Sequence, residues 1–576
     1  MDDESVGGPM SEQHPVVKGR TFTPPGKGPW DLETTHSARP MTPLVQDAFM
    51  TGFPKGFGEG TARYGVLLSH LEPGFSQGFF YTQPVAVGAP AGAMGPPPKP
   101  VLQLVSRIHP EMRRRHKVAE RAIREKLWRE DLTNWEEFDK PAAIKAHRAI
   151  QALDVAALSD AVLADHVDRC AQHAIDAAYL HHKYTIPACI PVGDFLAGAI
   201  AWTGASVGEL MTLLRGRSAI SRGFAVEELE AAAKALTTCD SARVVLAAAG
   251  DSESLLADLA AHPEVGPAVS AYLNAVRWRC VGYDLGDKAA GELPDTLVEA
   301  LRSSLAGTWA AAPDDDTALQ ALRERVPAEH REDFDDRLAE VRLMYRLRDE
   351  RGAYSDGWAM GLGRRALLEV GHRLTAKGLL GDPEHAVDLR ADEVRALLLG
   401  TGAGPDATEV AARFEWRTTM TTSDAPPFLR AVPPPPPPAD WLPRRARRTA
   451  AAMNTFMFSL FGVPETPNSE TVLTGLAVNT GVYEGPARLV EGSDDFGRIR
   501  QGDVLVTRMT SPYFNVVLPM LGAIVTDRGG QLCHAAIVAR EYGIPGIVGT
   551  RDATRTIRDG DRVRVDGTTG EVHLLG

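Results

Sequence analysis

From about residue 101 to 400, apolar residues recur at three- and four-residue steps, most clearly over 161–178, 226–249 and 334–347. That period predicts a long, mostly helical region. Alanine, leucine, arginine and glutamate dominate it and prolines are sparse, so intrinsic propensity agrees with the period. Ser159-Asp160-Ala161 and Thr317-Ala318-Leu319 have the form of helix starts. The pattern changes after residue 471. Asp503-Val504-Leu505-Val506-Thr507, Ala523-Ile524-Val525, Ile547-Val548, Val563-Arg564-Val565 and Glu571-Val572-His573-Leu574-Leu575 are short apolar runs bounded by Gly and Asp. They predict strands, and the stretch 535–542 predicts a helix between two of them.

Punctuation divides the chain. Residues 1–28 are rich in Gly, Pro and polar side chains and predict a disordered tail. Residues 30–83 mix aromatics, glycines and prolines, and 84–100 is a Pro/Ala/Gly loop. Residues 433–438 are an uninterrupted hexaproline, which in isolation is stiff and extended at about 3.1 Å per residue. It suits a tether, with a proline-motif ligand as the other reading. The expected architecture is multidomain. A mainly helical domain over 29–430 leads through a proline-rich linker over 431–470 to a small α/β domain over 471–576.

At 576 residues the chain exceeds one core. Its net charge of −13 and lack of a long basic stripe argue against a nucleic-acid surface. Arg444, Arg445, Arg447 and Arg448 form one short basic cluster beside the prolines, suited to a solvated linker. The five cysteines are scattered without metal-ligand spacing, so neither a disulfide framework nor a zinc site is expected. The acidic N-terminus lacks an apolar core, and no run reaches the roughly 18 apolar residues of a membrane span. A cytoplasmic protein is the expectation, with no membrane or nucleic-acid partner.

The segment with chemistry is 529–549: Gly529-Gly530-Gln531-Leu532-Cys533-His534-Ala535-Ala536-Ile537-Val538-Ala539-Arg540-Glu541, then Gly543-Ile544-Pro545. One histidine stands between a glycine-rich turn and an apolar helix. Helix N-termini offer unpaired N–H groups and a positive dipole end, and glycine lets a backbone approach closely. An imidazole there is placed to take a phosphoryl group. A capping or packed histidine is the plainer reading of the same residues.

These residues resemble the phosphohistidine, or mobile, domain of the phosphoenolpyruvate-utilising enzymes. That family's pattern is Gly-Gly-x-x-[Ser/Thr/Cys]-His-Ala-Ala-[Ile/Val]-[Val/Ile]-Ala-Arg-Glu followed by Gly-Ile-Pro. Thr526-Asp527-Arg528 and 561–570 fit the same domain. The resemblance implies that His534 carries a phosphoryl group between two sites, with Arg528, Gly529, Gly530 and Cys533 around the phosphate. A weaker resemblance joins the remaining chain to the acceptor domain of rifampicin phosphotransferase and to phenylphosphate synthase. It rests on His36-Ser37-Ala38-Arg39-Pro40-Met41-Thr42-Pro43 and on 365–374 with 381–389.

The chain shows no Walker-type phosphate loop and nothing resembling the family's ATP-grasp or pyruvate-barrel domains. The implied layout is the histidine-bearing subunit of a dikinase-type phosphotransferase. A separate ATP-grasp subunit would hold ATP and Mg²⁺, and a small phenolic compound would accept the phosphoryl group. His36 is the first candidate base, with Arg39 as a substrate contact. His181 and His182, at a predicted helix end, are the second set. Arg348 and Arg351 are the third, sharing a face if a helix runs through them. No metal-ligand cluster stands out. An antibiotic phosphotransferase component and a non-catalytic phosphocarrier or regulatory protein are the competing readings.

Overall fold

The computed structural model describes residues 14–34, 37–90, 92–217, 225–305, 316–402, 404–462, 468–469, 471–510, 514 and 517–575. The long periodic region folds as helices. Asp160–Lys183 and Thr185–Thr203 meet at Tyr184, whose hydroxyl donates to Asp139 at 2.7 Å. Together they are the one stretch among the described residues long and apolar enough to cross a membrane, and 72% of that apolar window is buried within the fold. Ser159 caps the first of them, accepting from the Val162 amide. The periodic stretches break where local chemistry interrupts them. The 226–249 pattern divides at the extended Cys239 into Val226–Thr238 and Asp240–Ala247. The 334–347 pattern ends at Met344 and restarts as Leu347–Ala353.

The aromatic-rich N-terminal part forms two small β structures. Strands β1 (Val16–Val17) and β2 (Arg20–Thr21) pair antiparallel. Residues 14–28 are therefore not a tail: Phe22 is fully buried beside Phe79, with ring centroids 5.8 Å apart. Residues 1–13 lie outside the described part. Strands β3 (Trp30–Leu32), β4 (Leu68–Ser76), β5 (Phe79–Ala86) and β6 (Phe428–Leu429) form a sheet in the order β4-β5-β3-β6. Strand alternation sorts the aromatics of β5. Phe79 and Tyr81 join a core with Phe22 and Trp30, while Phe80 faces Phe49, Phe53 and Phe75 in the main helical core.

The proline-rich segment is not a free tether along its whole length. The hexaproline lies beside Met94, Gly95, Pro96 and Trp441, with Lys99 bridging to Asp440 at 3.1 Å. The arginine cluster after it opens the helix Arg444–Phe461, which packs on Thr185–Thr203 through Ala452, Met453 and Phe456. Only glycine fits at the crossing, because a Cβ on Gly193 would stand 2.0 Å from the Ala452 carbonyl oxygen. Buried Asp194 fixes the helix by accepting from Arg448 at 2.7 Å and Arg337 at 3.3 Å. The connection to the next domain therefore starts after Phe461.

The C-terminal domain is an eight-stranded sheet. Its strands are β7 (Val472–Thr474), β8 (Leu476–Asn479), β9 (Val482–Val490), β10 (Asp503–Thr507), β11 (Leu521–Thr526), β12 (Gly546–Val548), β13 (Arg562–Asp566) and β14 (Glu571–Leu574). The order is β7-β14-β13-β9-β10-β11-β12-β8, with β9 to β12 parallel. β10 and β12 are buried at every position, as expected of strands covered on both faces. The helix Pro294–Leu305 packs on this domain, and Arg215 and the Gly216 amide bond to Asn479 and Glu541 across the same seam.

Candidate active site

His534 is the first residue of the helix His534–Tyr542, which follows β11 and returns the chain to β12. Two glycines shape the turn before it. Gly529 has φ +107°, and a Cβ there would lie 2.6 Å from the Cys533 sulfur. A Cβ on Gly530 would stand 2.5 and 2.8 Å from the carbonyl oxygens of Ser459 and Leu460. The Gly530 amide donates to Leu460 O at 2.9 Å and the Leu532 amide to Ser459 O at 3.1 Å. The turn is thus docked on the C-terminal end of Arg444–Phe461, where helix carbonyls lack partners of their own. This corrects the expectation that the Gly530 amide is unpaired and open to a phosphate. Cys533 occupies the N-cap position, its sulfur approached by the Ala535 and Ala536 amides and its thiol pushed up by burial.

The imidazole is buried, and Thr510 Oγ1 lies 2.9 Å from its Nδ1. Thr510 stands just beyond the end of β10, so the parallel strands β10 and β11 bring it beside the histidine. Burial, reinforced by the Arg348 guanidinium, pushes the His534 pKa down to about 3. The ring is neutral at pH 7. A neutral imidazole carries one nitrogen lone pair, the nucleophile that phosphoryl transfer needs.

Arg348 comes from the helical domain, on Leu347–Ala353. The helix does run through both arginines named above. Arg348 Nη1 and Arg351 Nε are buried without hydrogen-bond partners among the described residues. Burial lowers the Arg351 pKa, with Arg348 adding to the effect. Arg351 Nη1 donates to the His181 carbonyl at 3.2 Å and to Thr185 Oγ1 at 3.0 Å. His181 Nδ1 lies 2.7 Å from Asp356 Oδ2. Tyr283 is half-buried within the field of Asp356, Arg348 and Arg351, and desolvation raises its pKa. Hydrogen bonds thus join Arg351 to His181 and set His181 beside Asp356, while the charge of Arg348 is felt by both Arg351 and His534.

The other candidates are placed differently. His182 Nδ1 donates to Ala178 O at 2.8 Å, and its ring packs on Phe53 at 4.5 Å and on His181 at 4.6 Å. Arg39 Nη1 donates to Thr418 O at 3.0 Å, and its charge reaches half-buried Asp287. His36 lies outside the described residues. Arg528 lines a separate polar pocket with Arg508 and Arg551. Sequence reasoning missed Thr510, Asp356 and Tyr283. Thr510 carried a faint signal as a hydroxyl residue at a strand end; the other two had none, because Asp356 meets His181 across 175 positions. Among the described residues no three His, Cys, Asp or Glu side chains gather as a metal site.

Residues 499–570 match the family model of the PEP-utilising enzyme mobile domain. The chain is 32% identical over 231 residues to the uncharacterized phosphotransferase YvkC of Bacillus subtilis (strain 168), covering 40% of this chain and 26% of that protein. It is 31% identical over 327 residues to a rifampicin phosphotransferase of Streptomyces sp, covering 54% of this chain and 35% of that one. A probable phosphoenolpyruvate synthase of Pyrococcus abyssi (strain GE5 / Orsay) is 42% identical over 111 residues, covering 19% and 14%. The chain spans 26% and 35% of the length of the first two of these relatives. Residues 499–570 are therefore a mobile domain of the PEP-utilising enzyme family, and His534 opens the helix at its centre.

Proposed function

We propose that this chain is the histidine-bearing component of an ATP-dependent phosphotransferase and passes a phosphoryl group through His534 to a hydroxyl on a small aromatic acceptor. The observation that carries the reading is neutral, buried His534 lying in the electrostatic field of Arg348, whose Nη1 has no partner among the described residues. A buried guanidinium nitrogen without a partner is costly, and phosphate oxygens are its natural complement.

His534 Nε2 attacks the phosphoryl donor, forming an N–P bond as the donor P–O bond breaks, while Thr510 holds the Nδ1 proton. ATP with Mg²⁺ would supply that group in dikinase fashion: the β-phosphoryl passes to His534 as the bond to AMP breaks, and water takes the γ-phosphoryl as free phosphate. We assign ATP to an ATP-grasp part outside these 576 residues, which themselves show no phosphate loop. In the second step the acceptor oxygen attacks phosphorus in line. The N–P bond breaks, Arg348 and Arg351 balance charge on the phosphoryl oxygens, and His181 takes the hydroxyl proton with Asp356 fixing its tautomer. Phe53, Phe80 and His182 beside His181 give the aromatic surroundings that suit a phenolic ring. A phenol, with a pKa near ~10, needs only modest base assistance.

A second reading keeps the chemistry and changes the acceptor. The similarity to rifampicin phosphotransferase extends over 327 residues, well beyond the mobile domain, and favours rifampicin or a compound like it as the acceptor. Charging the protein on His534 and then offering phenols and rifampicin in parallel tests both. Discharge by phenols supports the first reading, and discharge by rifampicin alone replaces it with the second.

A further inference from the structure

We propose that a second anion site, distinct from the transfer site, lies at the C-terminal edge of β10, β11 and β12 and binds a small phosphate anion between the two domains. A cavity of about 180 Å³ opens there. Ligands of open α/β sheets bind outside the carboxyl ends of parallel strands. Each of these three strands leads directly into an arginine of the cavity wall. Arg508 follows β10, Arg528 follows β11, and Arg551 follows β12 after Gly549 and Thr550. Arg555 is the fourth.

Among the described lining residues two carboxylates stand with these four guanidiniums, and Asp424, next to Ser423, also lies in the field of Arg508. Asp527 is already engaged by the Thr554 amide and hydroxyl, and Asp552 lies 3.9 Å from Arg555. Arg508 Nη1 is buried without a hydrogen-bond partner among the described residues. Arg551 holds a left-handed backbone at φ 71°, unusual for a side chain of its size, and its amide donates to Asp527 O at 2.9 Å. The cavity is closed from the helical side by Thr34, Thr422 and Ser423, whose hydroxyls suit phosphate oxygens. His534 is not in its lining.

A phosphate there is shared by both domains, so it holds them together, and departure of the mobile domain opens the site. The proposal stands apart from the phosphohistidine reading, because it needs no covalent step.

The test is calorimetric titration of the full chain with inorganic phosphate and, separately, pyrophosphate, at constant chloride. Saturable binding of either is expected, and the tighter of the two identifies the anion. Arg508→Gln and the more exposed Arg555→Gln should each weaken it by about tenfold or more, with thermal unfolding confirming that both fold. His534→Ala should bind with unchanged affinity. Absence of saturable binding, wild-type affinity in both arginine variants, or loss of binding in His534→Ala would each overturn the proposal.

Discussion

Arg348 and His534 belong to different domains yet stand in each other's electrostatic field, the arginine deepening the depression of the histidine pKa that burial begins. The Gly529-Gly530 turn, seated on the end of Arg444–Phe461, is one of the contacts that hold the two domains in this arrangement. Arg348→Met should leave loading of His534 intact and slow discharge to the acceptor by about a hundredfold or more. Single-turnover discharge of the phosphorylated protein measures this. Equal loss in loading and discharge would place Arg348 outside the acceptor step.

His181 and Asp356 give a separate prediction. His181→Gln should cost about a hundredfold or more in discharge, while loading remains. Asp356→Asn should cost less and should alter the pH profile of discharge, because it removes the acceptor that fixes the Nδ1 proton. An unchanged profile in both variants would return the base to another group.

Acid should loosen the protein through His534. An unfolded histidine titrates near 6.5, whereas the folded one stays neutral down to about 3. Between those values the unfolded state binds more protons. Stability is therefore fully present above about pH 6.5 and falls as pH drops toward 3, by about 1.4 kcal/mol per unit for each such group. His166, lowered to about 4 by burial and by Arg169 and Arg365, adds to the same trend. Denaturant unfolding at several pH values should show a shallower dependence in His534→Gln than in wild type. Identical slopes would contradict a buried neutral ring.

The glycine turn makes a structural prediction. Gly530→Ala forces a Cβ against two helix carbonyls and should destabilise by about 2 kcal/mol, read by denaturant unfolding. A neutral effect would mean that the turn is not seated on Arg444–Phe461.

Three of the four parallel strands, β10, β11 and β12, were legible as short apolar runs bounded by Gly or Asp, and β10 begins and ends where the pattern does, whereas β9, interrupted by Glu484, Gly485 and Pro486, was not. Arg348 and Arg351 were legible as a helical pair. What escaped was set by distant packing. Residues 14–28 lack a periodic pattern, yet Phe22 is held by Phe79, which is far along the chain. The basic cluster 444–448 resembles a solvated linker until Asp194 is seen to receive Arg448. The Gly530 amide looked available to phosphate, because nothing local reveals that Leu460 O already accepts from it.

The most direct test is the intact mass of the full chain after incubation with Mg-ATP and an active ATP-grasp partner, comparing wild type with His534→Ala. One added phosphoryl group in wild type, absent from the variant and removed when an acceptor is supplied, is the predicted result. An unmodified wild-type protein, or equal phosphorylation of His534→Ala, would contradict the phosphohistidine account.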